Sequence, residues 1–263
     1  MFSLRFIGMK KLITLLCCAV ILSPVLIMSC RMGFRPAKVP IDALWYRQET
    51  GGTHTRLFVL LPGRAGRHED FAKNGFVQAV RTRGMDADLV AVDAHMGYYM
   101  EHVLLKRLRE DIIKPARTAG YTQIWLVGIS MGSTGALFYL KNYPDHISGI
   151  LLLGPYLGDK HIIDEIRSAG GLKWWDPGDI DTRDWQRELW LHLRSSIGRT
   201  LKVPVYVAYG TSDPYAYGPE LLASLLPPDR EITAYGGHTW APWKFLWERF
   251  LNKLTVQMSK TDP

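Results

Sequence analysis

Five consecutive residues carry the strongest chemical signal in the chain: Gly128-Ile129-Ser130-Met131-Gly132. They follow the apolar run Ile124-Trp125-Leu126-Val127 and open a segment, residues 131–141, that reads as a helix. A serine set between a buried strand and a helix must be raised above the sheet by a sharp turn. Gly128 and Gly132 leave room for that turn and for close helix–strand packing. The helix start then directs free amides and the positive end of its dipole toward the serine. Such a site suits nucleophilic attack on a carbonyl, with amides to stabilise the oxyanion that forms.

A serine hydroxyl is a poor nucleophile unless a base takes its proton, and the base needs a carboxylate to orient it. Two later loops offer these groups. Residues 203–208 read as a strand, and Asp213 lies in the loop Tyr209-Gly210-Thr211-Ser212-Asp213-Pro214 after it. Residues 231–234 read as the next strand, and His238 follows in Tyr235-Gly236-Gly237-His238. Asp93, at the end of an earlier strand, is a second acid candidate, but it precedes the serine. His95, Tyr98 and Tyr99 follow Asp93 and are candidates either for a substrate pocket or for structural roles. Arg64 and Arg67 are candidates for meeting an acidic substrate group or for ordinary solvated arginines.

The elements that must position these residues alternate along the chain. Strands are predicted at 55–61, 87–92, 123–127, 147–153, 203–208 and 231–234. Helices are predicted at about 69–83, 101–119, 131–141, 218–226 and 240–254, with Gly75 and Pro115 as points of interruption. This alternation is the signature of a mostly parallel sheet with helices on both faces. Residues 154–200 break the alternation and contain Trp174, Trp175, Trp185 and Trp190. They read either as a helical cap insertion, with Trp174 and Trp175 bordering a pocket, or as connecting helices with core tryptophans. Trp240, Trp243 and Trp247 share one face of the last helix and read as core.

Taken together these motifs resemble the α/β-hydrolase superfamily, and within it the secreted esterase- and lipase-like serine hydrolases. The latter likeness is carried by Gly237-His238-Thr239-Trp240 ahead of an aromatic helix. The resemblance implies an α/β-hydrolase fold in which Ser130 attacks the carbonyl, His238 takes its proton and Asp213 holds the imidazole. It implies an oxyanion hole made by the amides of Arg64, in Pro62-Gly63-Arg64, and of Met131. This chain departs from many relatives in having Leu61-Pro62 where they carry a histidine before the glycine, and Ser133 where they carry a second glycine. The implied reaction is cleavage of a small-molecule or lipid-like carboxylic ester through an acyl-enzyme. An amidase, a thioesterase or a polyester depolymerase would use the same three residues. A non-catalytic envelope lipoprotein with a binding role is the alternative outside enzymology.

The N-terminus reads as a targeting segment. Arg5, Lys10 and Lys11 precede a run from Leu12 to Met28 without a charged residue, and Ile27-Met28-Ser29-Cys30 resembles a bacterial lipoprotein processing site. That resemblance implies a signal peptide at 1–29, lipid on Cys30 and a body held at the membrane outside the cytoplasm. An uncleaved anchor and an ordinary secreted protein are the other readings. The expected organisation is then a tether and entry strand at 30–50, a hydrolase domain at 51–256 and a tail at 257–263. Cys17, Cys18 and Cys30 are the only cysteines, so the body has no disulfide and no cysteine metal site. The formal charge is +7 and falls to +4 without the three leader cations. The remaining charges are mixed, so no nucleic-acid partner is expected. The scattered histidines form no metal-binding spacing, and no glycine-rich motif asks for a nucleotide, so neither metal nor cofactor is expected.

Overall fold

The computed structural model describes residues 35–48, 54–181, 183–197 and 202–258. Contacts divide the chain after Pro36; the body described below is the unit Ala37–Pro263. The leader at 1–29 and Cys30 lie outside the described residues. Among the described residues no helix is long and apolar enough to cross a membrane.

Seven strands form one sheet: β1 (Ala43–Tyr46), β2 (Arg56–Leu61), β3 (Asp88–Val92), β4 (Gln123–Ile129), β5 (Gly149–Leu153), β6 (Val205–Gly210) and β7 (Glu231–Ala234). Their spatial order is β1-β3-β2-β4-β5-β6-β7, with β1 antiparallel to β3 and every other pair parallel. β2, β3 and β5 are buried at every position. Such continuous burial is why, after Arg56 in β2 and Asp88 in β3, they read as apolar runs rather than alternating ones. Successive side chains point to opposite faces and feed two cores. Leu57, Val59, Val90, Leu126 and Leu152 join one, while Phe58, Leu60, Leu89, Val127 and Leu151 join the other.

Helices cover both cores. In chain order they are α1 (His68–Lys73), α2 (Phe76–Arg81), α3 (Met96–Met100), α4 (Leu104–Arg107), α5 (Lys114–Thr118), α6 (Met131–Asn142), α7 (Lys160–Ser168), α8 (Trp185–Ser196), α9 (Tyr217–Ala223) and α10 (Trp240–Met258). The single helix expected at 69–83 is two. Gly75 sits between α1 and α2 at φ +80°, a left-handed conformation that ends the first helix and turns the chain into the second. The single helix expected at 101–119 is also divided. A π-helical turn, Leu108–Ile113, joins α4 to α5. Pro115 has no N–H for the helical ladder, and the backbone widens in the turn before it.

β1 lies in the segment 30–50 expected to hold a tether and an entry strand, and it pairs with β3 along its whole length. The insertion at 154–200 contributes α7 and α8, which pack through Ile162, Ile163, Ile166, Leu189, Trp190 and Leu193 into the first core. On the other face α10 is held by aromatic contacts. Trp240 meets Phe71 and Phe76 edge-on at 5.6 and 5.7 Å, and Trp247 stacks on Phe76 at 5.7 Å. Burying Trp247 and Phe250 completely contributes about 2 kcal/mol each, before entropy is counted. This packing fixes the start of α10, which directly follows the His238 loop.

Candidate active site

The residues expected to carry the reaction lie beyond the carboxyl ends of parallel strands, the edge at which open α/β sheets bind ligands. Arg64 follows β2, Ser130 follows β4, Asp213 follows β6 and His238 follows β7. Ser130 has φ +52° and ψ −116°, a conformation rare for a residue with a side chain. Such backbone costs about 1–3 kcal/mol and persists only where its surroundings enforce it. Here the Ser130 amide donates to Leu153 O at 2.9 Å, and Ser130 O accepts from the Ser133 amide at 3.0 Å.

The two flanking glycines are required by close approach. A Cβ on Gly128 would run into the Ser133 amide and the Gly132 carbonyl, and one on Gly132 would run into the carbonyls of Leu61 and Pro62. Ser133, the departure from the glycine of many relatives, is fully buried and its hydroxyl donates to Gly128 O at 2.6 Å. The extra side chain thus ties the first turn of α6 back to the end of β4.

The structure brings Ser130, His238 and Asp213 together. Ser130 Oγ lies 2.9 Å from His238 Nε2, and His238 Nδ1 lies 2.7 Å from Asp213 Oδ2. An ionised carboxylate only accepts, so Nδ1 carries the proton and Nε2 is left to accept from the serine hydroxyl. The Asp213 side chain is 1% exposed, and its second oxygen accepts from the Tyr215 amide at 2.9 Å. The acid and base loops are joined by backbone: the Ser212 amide donates to Gly236 O at 2.9 Å. Asp93, the other acid candidate, is buried at the end of β3, where its amide donates to Asp42 O.

The loop Pro62-Gly63-Arg64 lies against the serine; a Cβ on Gly63 would stand 3.3 Å from Ser130 Cβ. The amides of Arg64 and Met131 donate to no protein acceptor among the described residues. The Arg64 side chain is exposed.

The expected pocket residues fare differently. Tyr98 is fully buried and its hydroxyl donates to Lys38 O at 3.2 Å, so it belongs to the core and not to a pocket wall. His95 is 7% exposed and caps α3, its Nδ1 accepting from the Gly97 amide. Trp175 is 1% exposed, and its indole donates to Glu165 at 2.8 Å. Its neighbour Trp174 is 67% exposed under the ammonium of Lys173. Burial counts against the first three: each is hydrogen-bonded and offers little or no surface to a ligand.

Other residues reach the centre without having been singled out. Gly154, at the end of β5, has φ +48°; a Cβ there would stand 2.6 Å from Trp243 Nε1, 3.0 Å from Asp213 Oδ2 and 3.4 Å from His238 Nδ1. Trp243 and Tyr215 each pack edge-on against the His238 ring at 4.9 Å. Tyr156 is placed by its backbone, whose amide donates to Ser130 O at 3.3 Å and whose carbonyl accepts from the Thr134 hydroxyl. Burial first, then the hydrogen bond to Asp159, pushes the Tyr156 phenol well above its ordinary range, so it stays protonated as a donor. The sequence hint was present in Gly154-Pro155 directly after a buried strand, a punctuation that marks a constrained turn.

Comparison with known proteins bears on the fold. A family model described as the alpha/beta hydrolase fold matches residues 108–178. No curated protein matches the chain in sequence. Among solved structures the chain is similar to Est1E from Butyrivibrio proteoclasticus, at 16% identity and a TM-score of 0.55, covering 83% of this chain and 98% of that one. It is similar to the S-formylglutathione hydrolase of Staphylococcus aureus, at 12% identity and a TM-score of 0.54, covering 83% and 97%. It is also similar to a monoacylglycerol lipase of Paleococcus ferrophilus, at 15% identity and a TM-score of 0.54, covering 82% and 98%. The chain has the α/β-hydrolase fold, a mostly parallel sheet flanked by helices and carrying a helical insertion.

Proposed function

We propose that the protein is a serine hydrolase that cleaves a carboxylic ester through an acyl-enzyme. One observation carries the reading: a serine hydroxyl on a strained turn, 2.9 Å from an imidazole nitrogen whose other nitrogen is 2.7 Å from a buried carboxylate. In this reading Ser130 Oγ attacks the ester carbonyl while His238 Nε2 takes its proton. The amides of Arg64 and Met131 stabilise the oxyanion. The C–O bond then breaks, and the leaving alkoxide takes the proton back from Nε2. Water, deprotonated by the same nitrogen, attacks the acyl-enzyme and releases the acid. Asp213 holds the ring in the required tautomer and offsets the imidazolium charge. The monoacylglycerol lipase among the structural neighbours supports an ester substrate, and the S-formylglutathione hydrolase keeps a thioester as the second reading.

The test is labelling and turnover. A fluorophosphonate probe is expected to label the parent and not Ser130→Ala. The same substitution is expected to lower hydrolysis of an activated short-chain ester by roughly 10⁴- to 10⁶-fold. Equal turnover by a folded Ser130→Ala enzyme would overturn the proposal.

A further inference from the structure

Aromatic rings continue outward from His238. Tyr215 packs on its imidazole, Tyr156 meets Tyr215 at 5.6 Å, and Trp185 at the start of α8 meets Tyr156 at 6.1 Å. Tyr215 is exposed, and Tyr156 and Trp185 are half-buried, so each keeps surface available to a ligand. Trp185 is also a wall of an open concavity of about 460 Å³, shared with His161, Asp181, Arg183, Asp184 and Arg187. Trp185 belongs both to the aromatic track that begins at His238 and to the lining of this concavity.

The chemistry of the far end narrows the ligand. Arg183 pairs with Asp181 at 2.7 Å, and Arg187 pairs with Asp184 at 2.6 Å and with Glu165. An anionic ligand would find both guanidinium groups already matched. An acyl chain would have to desolvate these charged groups without replacing their hydrogen bonds. A neutral, ring-shaped ligand with a hydroxyl rim fits both ends of the track. Its C–H faces pack on the electron-rich faces of the rings, and its hydroxyls exchange hydrogen bonds with the polar floor.

We propose that the track binds a carbohydrate, and that the substrate is an O-acyl carbohydrate whose sugar hydroxyl is the leaving group. The inference rests on the esterase reading of Ser130, His238 and Asp213. The direction follows from the proton. His238 Nε2 returns its proton to the departing oxygen, so the alcohol portion leaves on the side of His238, where the track begins. The bond that breaks joins the acyl carbon to the sugar oxygen. The acyl group passes to Ser130 and then to water, and the sugar is released with its hydroxyl restored.

The experiment compares kcat/KM for O-acetylated xylo-, cello- and chito-oligosaccharides with that for ethyl acetate. At least one oligosaccharide is expected to be preferred. Trp185→Ala is expected to lower that preference about tenfold, chiefly through KM, and Trp185→Phe to restore most of it. Calorimetry with Ser130→Ala and the unacylated oligosaccharides provides a readout that does not depend on the tryptophan variants folding; saturable binding is expected. Hydrolysis of ethyl acetate with no oligosaccharide preference, a preference unmoved in a folded Trp185→Ala enzyme, or no binding in the calorimeter would each overturn the substrate and leave the esterase reading standing. Failure of the parent to hydrolyse any of these esters would remove both.

Discussion

The turn at Ser130 and the insertion at 154–200 stand side by side over the same sheet edge, yet they are held by different means. The turn is fixed by backbone: glycines with no room for a side chain, amides bonded across β4 and β5, and a serine forced to positive φ. The insertion is fixed by side chains. Glu165 accepts from the Trp175 indole and pairs with Arg187, which also holds Asp184, and the Arg194 guanidinium donates to Trp175 O. The difference teaches where change is tolerated. Backbone constraints admit almost no substitution, whereas a network of half-buried side-chain pairs can be rewired one residue at a time.

The comparison is broken most strongly at Gly154, where the two regions meet. Gly154→Ala would add a methyl group between Trp243, Asp213 and His238 at a positive φ. Turnover is expected to fall about 10²-fold through displacement of the imidazole. The left-handed backbone adds a stability loss of about 1–2 kcal/mol. Single-turnover kinetics and denaturant titration measure the two effects separately; unchanged turnover would show that the centre does not depend on this close packing.

A smaller effect sharpens the contrast from the other side. Arg187→Gln removes both ion pairs; the hydrogen bond to Arg187 holds the Glu165 carboxyl below its usual range, and the bonds to Glu165 and Asp184 raise the Arg187 guanidinium above its own. The expected cost is about 1 kcal/mol of stability, because the groups are only partly shielded from water. Turnover of a small ester separates the regions: a large fall in kcat would mean that the insertion orients the catalytic side chains.

The smallest effect is one of pH. Burial pushes His146 and His192 below the ordinary histidine value of 6.5. Above 6.5 both states are neutral there and nothing is gained. Below it the unfolded chain takes up protons that the folded chain refuses, so stability is lost as pH falls. The melting temperature is expected to decline between pH 7 and about pH 5.5, and His192→Asn to flatten part of that slope. A slope unchanged in the variant would exclude His192 as a contributor.

Much of this architecture was legible because it is local. Buried strands announce themselves as apolar runs, and Ser130, Asp213 and His238 each follow such a run in a glycine-marked loop. β7 coincides with its predicted segment at 231–234, and β4 runs two residues past Val127 into the turn. What was not legible depends on tertiary facing. Trp174 and Trp175 are adjacent in sequence, but one is exposed and the other sealed in the core, and no periodicity within a loop tells them apart. Tyr98 looked like a pocket residue because it follows a strand end, yet its ring belongs to the core and its hydroxyl bonds to Lys38, 60 residues away. Gly154, Tyr156 and Tyr215 acquire meaning only once β5 and β6 are known to be neighbours. Pro115 marks an interruption in the sequence, but the π-helical form of the turn before it, with Leu108, Ile112 and Ile113 buried, has no signal of its own there.

The sheet's two margins have a consequence of their own. β1 and β7 are both four residues long, shorter than every strand between them, and β7 opens on an exposed glutamate. A margin so brief gives a second polypeptide few free amides and carbonyls on which to zip. Such short outermost strands limit edge-to-edge pairing and leave the longer strands, with their apolar runs, inside the sheet.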